Sequence, residues 1–250
     1  MFLEERQQEI IKLLKKKGKV KVNELVKAFD VSESTIRRDL QEMESEGVIN
    51  RTHGGAMLKG KTQFEPSFQE KKDSKHNEKI SIGKKAAMLI EDGDTIILDT
   101  GTTTLELAKN ISANNITVIT NSIDISDELS NKRGIELFVT GGNLRLKTRA
   151  MVGSITESML RNFRVDKAFV GTNGVSLENG ISTPNFIEAS TKRAMIEVSN
   201  KAIIVTDASK FNKECFAIIS TLESIDLIVT SDDLDSELKN QYEERGIKVI

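Results

Sequence analysis

Ser32-Glu33-Ser34-Thr35-Ile36-Arg37-Arg38-Asp39-Leu40-Gln41-Glu42-Met43 is the stretch on which the reading of the chain turns. Ser32 is a good N-cap, because its side-chain oxygen can accept a free N–H of the first turn, and Glu33 comes next, where negative charge suits the helix dipole. Advancing about 100° per residue, as a helix does, Ile36, Leu40 and Met43 fall on one side. Ser34, Arg38, Gln41 and Ser45 fall on the other, flanked by Thr35 and Arg37. Arg forks onto guanine, Gln onto adenine, and small hydroxyls reach phosphates, so this outer face suits a major groove. Any surface helix also turns polar residues outward, so the helix alone does not decide.

The flanks extend the pattern. Upstream, Leu3, Ile10, Ile11 and Leu14 share a helical face that Gly18 is placed to end; Lys19-Val20-Lys21 alternates as a short strand; Val22, Leu25 and Phe29 make a second helical stripe, and Asp30-Val31 a turn. Downstream, Gly47 is placed to end the third helix, and the strand-like Val48–Arg51 is turned by Gly54-Gly55. Three helices and a β-ribbon make a winged helix-turn-helix over residues 1–58. Arg51 and His53 sit at the wing tip, where they meet backbone or minor groove. Lys15-Lys16-Lys17 offers phosphate contacts, or is simply a solvated run. Residues 1–58 carry 11 Lys+Arg against 10 Asp+Glu, so the placement of charge matters more than its sum.

The whole chain has 250 residues, with Lys+Arg 36 against Asp+Glu 38 and a formal charge of −2, which excludes a uniformly basic coat. Hydrophobic residues at 38% suffice for a packed core. Ala86–Ile90, among the longest apolar runs, falls far short of the roughly 20 residues that span a bilayer. The start lacks a basic segment followed by an apolar one, and a single cysteine, Cys215, forms no internal disulfide; a cytoplasmic protein is expected, with no membrane partner. With only His53 and His76 beside that thiol there is no zinc-ligand spacing, and neither metal nor cofactor is expected.

Residues 59–74 are polar, hold Pro66 and show no sustained periodicity; they read as a linker giving way to a helix over 75–91, the natural element to couple the two halves of the chain. Residues 75–250 alternate strand, loop and helix. Thr95–Leu98, Thr117–Thr120, Glu136–Val139, Lys167–Val170, Ala202–Val205 and Leu227–Thr230 are mostly continuous apolar runs, as parallel strands covered on both faces should be. Leu105–Ile111, Ser154–Asn162, Phe186–Ser199 and Leu234–Arg245 read as helices between them, so a single α/β domain on a parallel-rich sheet is expected.

The loops after these strands should converge on the carboxyl edge of the sheet, where α/β folds bind ligands. Asp99-Thr100-Gly101-Thr102-Thr103 opens a helix, and its free N–H groups, hydroxyls and dipole suit a phosphate. Asn121-Ser122, Gly141-Gly142, Gly171 with Asn173, and Asp207 with Lys210 stand after strands in the same way. Lys210 supplies counter-charge; Asp99, Asp207 and Glu188 accept from sugar hydroxyls. Each glycine-rich loop taken alone is equally a turn that needs positive φ.

Three segments, Arg6–Ile10, Ser32–Leu40 and His53-Gly54-Gly55-Ala56, resemble the signature of the DeoR family of bacterial transcriptional regulators. The resemblance implies that Ser34, Thr35, Arg37 and Arg38 read DNA from the helix, that Arg51 and His53 do so from the wing, and that Asp39 is a structural partner. It continues through Asp99-x-Gly-Thr-Thr, Thr120-Asn121-Ser122, Gly141-Gly142 with Arg145, Gly153, and Asp207-x-Ser-Lys210. The fold it implies for this half is similar to ribose-5-phosphate isomerase and the CoA transferases, with a phosphorylated sugar as effector. Gly171–Val175, Ser182-Thr183-Pro184 and Glu188-Ala189 resemble the fructose-operon repressors most, which implies fructose 1-phosphate. One departure is Phe68–Lys72, where many members have an Arg: Lys71 cannot make its bidentate fork.

These readings describe a repressor, a homodimer or homotetramer on paired operator half-sites, released by a sugar phosphate. Two rivals stand beside it. Glu188, Asp207 and Lys210 have the chemistry of a sugar-phosphate isomerase carrying a DNA-binding appendage, and residues 1–58 can be a protein-interaction module.

Overall fold

The computed structural model describes residues 2–17, 19–46, 48–52, 54–58 and 65–250, and divides into two compact units, Met1–Lys61 and Thr62–Ile250. Gly18, Gly47, His53 and positions 59–64 of the expected linker lie outside the described residues, as do the side chains of Lys15 and Lys16.

In the first unit, α1 (Leu3–Lys17), β1 (Lys19–Lys21), α2 (Val22–Phe29), α3 (Glu33–Ser45), β2 (Ile49–Thr52) and β3 (Gly55–Leu58) keep the expected order. β3 lies between β1 and β2, antiparallel to both. Gly55 is required there, since a Cβ would stand 1.8 Å from the Val20 carbonyl oxygen. Ile36, Leu40 and Met43 are buried with Ile10, Leu14, Val20 and Leu25, the apolar face that the periodicity of α3 predicts. Ser32 accepts the Thr35 N–H at 3.1 Å, a cap contributing about 1 kcal/mol.

The second unit is built on β4 (Thr95–Leu98), β5 (Ile116–Thr120), β6 (Ile135–Val139), β9 (Val165–Gly171), β12 (Ser199–Val205), β14 (Leu227–Val229) and β15 (Lys248–Val249). They form a seven-stranded sheet in the order β15-β14-β12-β9-β4-β5-β6, every pairing parallel. The helices are α4 (Phe68–Asp73), α5 (His76–Ala87), α6 (Thr102–Lys109), α7 (Ile123–Leu129), α8 (Ser154–Leu160), α9 (Phe186–Glu197) and α10 (Ser236–Glu244). Apolar layers lie on both faces, one including Ile97, Val170, Met195 and Ile204, the other Ile82, Leu98, Leu107 and Phe169. Alternate residues of one strand thus enter opposite layers, which is why the strands read as unbroken apolar runs.

Three features differ from expectation. The stretch read as linker contains α4, opened by a capping box in which Ser67 accepts the Glu70 N–H and Glu70 accepts the Ser67 N–H; with Phe68 and Glu65 buried, residues 65–74 are part of the second unit rather than a spacer. The loop at Gly141-Gly142 leads into an antiparallel hairpin of β7 (Asn143–Arg145) and β8 (Ala150–Val152). Gly171–Gly174 leads into a small sheet of β10 (Gly174–Ser176), β11 (Gly180–Thr183) and β13 (Ala217–Ser220). Such three- and four-residue strands carry too little periodicity to stand out from turns. No helix among the described residues is long and apolar enough to cross a membrane.

Candidate functional site

Because the main strands are parallel, Asp99 after β4, Asn121 after β5, Gly171 at the end of β9 and Asp207 after β12 share one edge of the sheet. Asp99 is fully buried. Its Oδ2 accepts the Gly171 N–H at 3.0 Å and a hydrogen bond from Lys192 Nζ, while Oδ1 is buried without a hydrogen-bond partner among the described residues. Lys192 stands on α9, one turn beyond Glu188, in a helix whose Ala189, Ala194 and Met195 are also buried.

Glu188 accepts from Thr148 Oγ1 and, at 2.9 Å, from Arg145 Nη1. Burial opposes its ionisation, yet Lys192, Thr148, Lys71 and Arg145 together hold its carboxyl below the ordinary range. The same Arg145 Nη1 is 2.5 Å from Glu65 Oε2, and Lys71 Nζ is 3.9 Å from Glu65 Oε1. Burial and the Glu188 charge push Glu65 upward. Lys71 is pushed down by burial, against the pull of both carboxylates. Asp207, although buried, is held low by Lys210 and by Ser209, whose N–H donates at 3.0 Å; Lys210 Nζ lies 3.7 Å away.

Of the residues singled out in the sequence, Asp99, Gly171, Arg145 and Glu188 enter this connected cluster. Thr100 and Asn121 border it: the Thr100 N–H donates to Asn121 Oδ1 at 2.8 Å, and Asn121 Nδ2 donates to the Met151 carbonyl. Gly101 precedes α6, and Thr102 and Thr103 form its first turn. Ser122 caps α7 by accepting the Ile125 N–H. Asn173 Oδ1 accepts from Thr183 Oγ1 at 3.0 Å. Gly141 and Gly142 face α8 instead: Thr156 Oγ1 donates to the Gly141 carbonyl, and a Cβ on Gly142, at φ +111°, would stand 2.1 Å from that hydroxyl. The close approach accounts for a glycine at 142, whereas a Cβ on Gly141, at φ +63°, would meet open space.

Lys192, Glu65, Thr148 and Lys79 escaped the sequence reading. Lys192 carried a signal, since Glu188 and Lys192 are i,i+4 partners on one helix. Lys79 Nζ donates to the carbonyls of Lys71 and Ser74 and so ties down the C-terminal end of α4.

In the first unit, Arg38 and Gln41 are exposed on α3. Arg37 is held along the helix by Glu33, at 2.6 and 2.8 Å. Ser34 Oγ and Thr35 Oγ1 lie 2.8 and 2.7 Å from Ser32 Oγ, in one hydroxyl network at the helix start. The Arg51 N–H donates to Glu44 Oε1 at 3.0 Å, which fastens the wing strand to α3. Asp39, one residue beyond Arg38, is buried against Arg6.

Residues 6–62 match the DeoR-like helix-turn-helix domain and residues 74–232 the DeoR C terminal sensor domain. The chain is 36% identical over 249 residues to a putative aga operon transcriptional repressor of Escherichia coli O157:H7, covering 98% of this chain and 93% of that protein. Against two Bacillus subtilis regulators, FruR and GlcR, identity is also 36%, covering 100% of this chain and 99% and 96% of theirs. Among solved structures, a probable sor operon regulator from Shigella flexneri is 12% identical with a TM-score of 0.46, covering 66% of this chain and 89% of the other. With both units matched and relatives similar from end to end, the chain belongs to the DeoR family of transcriptional regulators.

Proposed function

We propose that the chain represses a sugar-utilisation operon in the cytoplasm and that a phosphorylated sugar, with fructose 1-phosphate as the first candidate, binds its second unit and lowers its affinity for operator DNA. The observation that carries this reading is the gathering of Lys71, Arg145, Lys192 and Lys210 around buried carboxylates at the carboxyl edge of the sheet. The cations suit a phosphoryl group. The open Oδ1 of Asp99 is an acceptor suited to a sugar hydroxyl. In the first unit, Arg38, Gln41 and the hydroxyls of Ser34 and Thr35 are proposed to face operator DNA with Arg37, Arg51 and His53, in a homodimer or homotetramer that places two such helices on paired half-sites.

FruR and GlcR are equally similar to the chain, so the choice of fructose 1-phosphate rests on the segments Gly171–Val175, Ser182–Pro184 and Glu188-Ala189. An effector acts only through unequal affinity for the DNA-bound and free states. The test is fluorescence anisotropy of labelled promoter DNA with the full chain, titrated with fructose 1-phosphate and with fructose 6-phosphate. Release by the first at lower concentration supports the proposal. DNA binding that no sugar phosphate alters would overturn it, and steady conversion of a sugar phosphate, monitored by NMR, would favour the isomerase instead.

A further inference from the structure

Each of these cations at the sheet edge already faces a carboxylate: Arg145 pairs with Glu65 and Glu188, Lys71 with Glu65, Lys192 with Asp99 and Lys210 with Asp207. Lys79 adds a fifth cation near Asp207. A phosphoryl group brought beside these pairs would be repelled at short range by the buried carboxylates, where screening is weak. To pair with both Arg145 and Lys71 it must take the place of the carboxylate between them.

Three of the four carboxylates are anchored. Asp99 comes directly after β4 and is held by Lys192 and the Gly171 N–H. Glu188 is the third residue of α9, with Thr148 and Arg145 on its carboxylate. Asp207 is fastened by Ser209 and Lys210. Glu65 is different. It belongs to no helix or strand, its described polar contacts are the two ion pairs to Arg145 and Lys71, and neither carboxylate oxygen has a hydrogen bond of good geometry among the described residues. Yet it is only 2% exposed, so this carboxylate is buried on ion pairing alone. It also lies just beyond the division between the two units at Lys61 and Thr62.

We infer that Glu65 is an internal stand-in for the effector, its carboxylate filling the seat between Arg145 and Lys71 that a phosphoryl group takes by displacing it. The inference rests on the effector reading proposed above and adds to it how the site signals. The displaced residue stands at the start of the described second unit, the part nearest in sequence to the first unit, so exchange of one anion for another releases the start of that unit. The chemistry of the seat sets the ligand class: a compact dianion that offers Arg145 two oxygens displaces Glu65, whereas the unphosphorylated sugar does not.

The experiment is calorimetric titration of the full chain and its Glu65→Gln variant with inorganic phosphate and with fructose 1-phosphate, joined to hydrogen–deuterium exchange of the wild-type chain. Removing the competing charge should tighten anion binding by about tenfold or more, and saturating ligand should speed exchange in the peptide around residues 65–70 of the wild type. Equal affinities, with exchange there unchanged or slowed by ligand, would overturn the stand-in role while leaving the effector site intact. Failure of both forms to bind either anion would overturn the effector reading itself. The exchange measurement needs no variant, so the inference stays testable if Glu65→Gln folds poorly.

Discussion

Arg6 on α1 forks onto Asp39 on α3, with Nε 2.5 Å from Oδ2 and Nη2 2.9 Å from Oδ1, and both side chains are buried. The pair fixes the first helix against the third, and Asp39 adjoins the exposed Arg38. Asp39 holds the Arg6 guanidinium above its ordinary range, burial opposing only in part.

Breaking this pair leaves a buried charge uncompensated. Asp39→Ala should destabilise the first unit by about 3 kcal/mol, while the double replacement Arg6→Met with Asp39→Leu should recover most of that loss because neither charge remains. Scanning calorimetry of the full chain checks this. A single variant that melts like the wild type would show that the pair contributes nothing.

Arg37 and Arg38 are adjacent but differ in what already holds them. Glu33 engages Arg37, whereas Arg38 stands exposed. Arg38→Ala should cost about 1–3 kcal/mol of specific operator binding if it reads a base, and Glu33→Gln, which frees Arg37, should leave specificity unaltered. Anisotropy against operator and scrambled duplexes separates the two. An unchanged preference in Arg38→Ala would remove it from the base-reading set.

How legible each part was depends on where its signal lies. The face of α3 and the apolar strands β4, β5, β9 and β12 could be read because one local period, 3.6 residues or a continuous run, governs each. Arg6 and Asp39 are 33 positions apart, and a long-range ion pair has no period. Glu65 had no pattern because it lies outside any helix or strand and precedes Pro66, so its burial depends wholly on Arg145 and Lys71. Gly142 shows a related ambiguity: a glycine demanded by the close approach of Thr156 looks, in sequence, like one demanded by a ligand.

Lys79 makes stability depend on pH in a direction that can be worked out. Burial lowers its pKa to about 8 from 10.5. Between those values the unfolded chain holds a proton that the folded chain has lost, so unfolding takes one up and stability rises with pH. The rise should be about 2 kcal/mol after allowing for partial solvent screening, and below about pH 8 the full cost of the buried ammonium is present. Urea unfolding across this range should show the rise in the wild type and a smaller one in Lys79→Met. Parallel curves would contradict the assignment.

Lys210 and Lys192 should report on the effector in different ways. Lys210 is one-third exposed and lies 3.7 Å from Asp207, so its removal breaks a screened contact and leaves the fold largely intact. Lys210→Ala should keep wild-type operator affinity yet need about tenfold more fructose 1-phosphate for release, as loss of one charged phosphate contact predicts. Lys192 is buried on Asp99, so Lys192→Met strands a carboxylate and should lower the melting temperature of the second unit as well as abolish the response. Asp99→Asn added to Lys192→Met removes that stranded charge, so stability should return while the response to the sugar phosphate stays lost. A double variant that regains both would show that the pair holds the fold together without touching the effector.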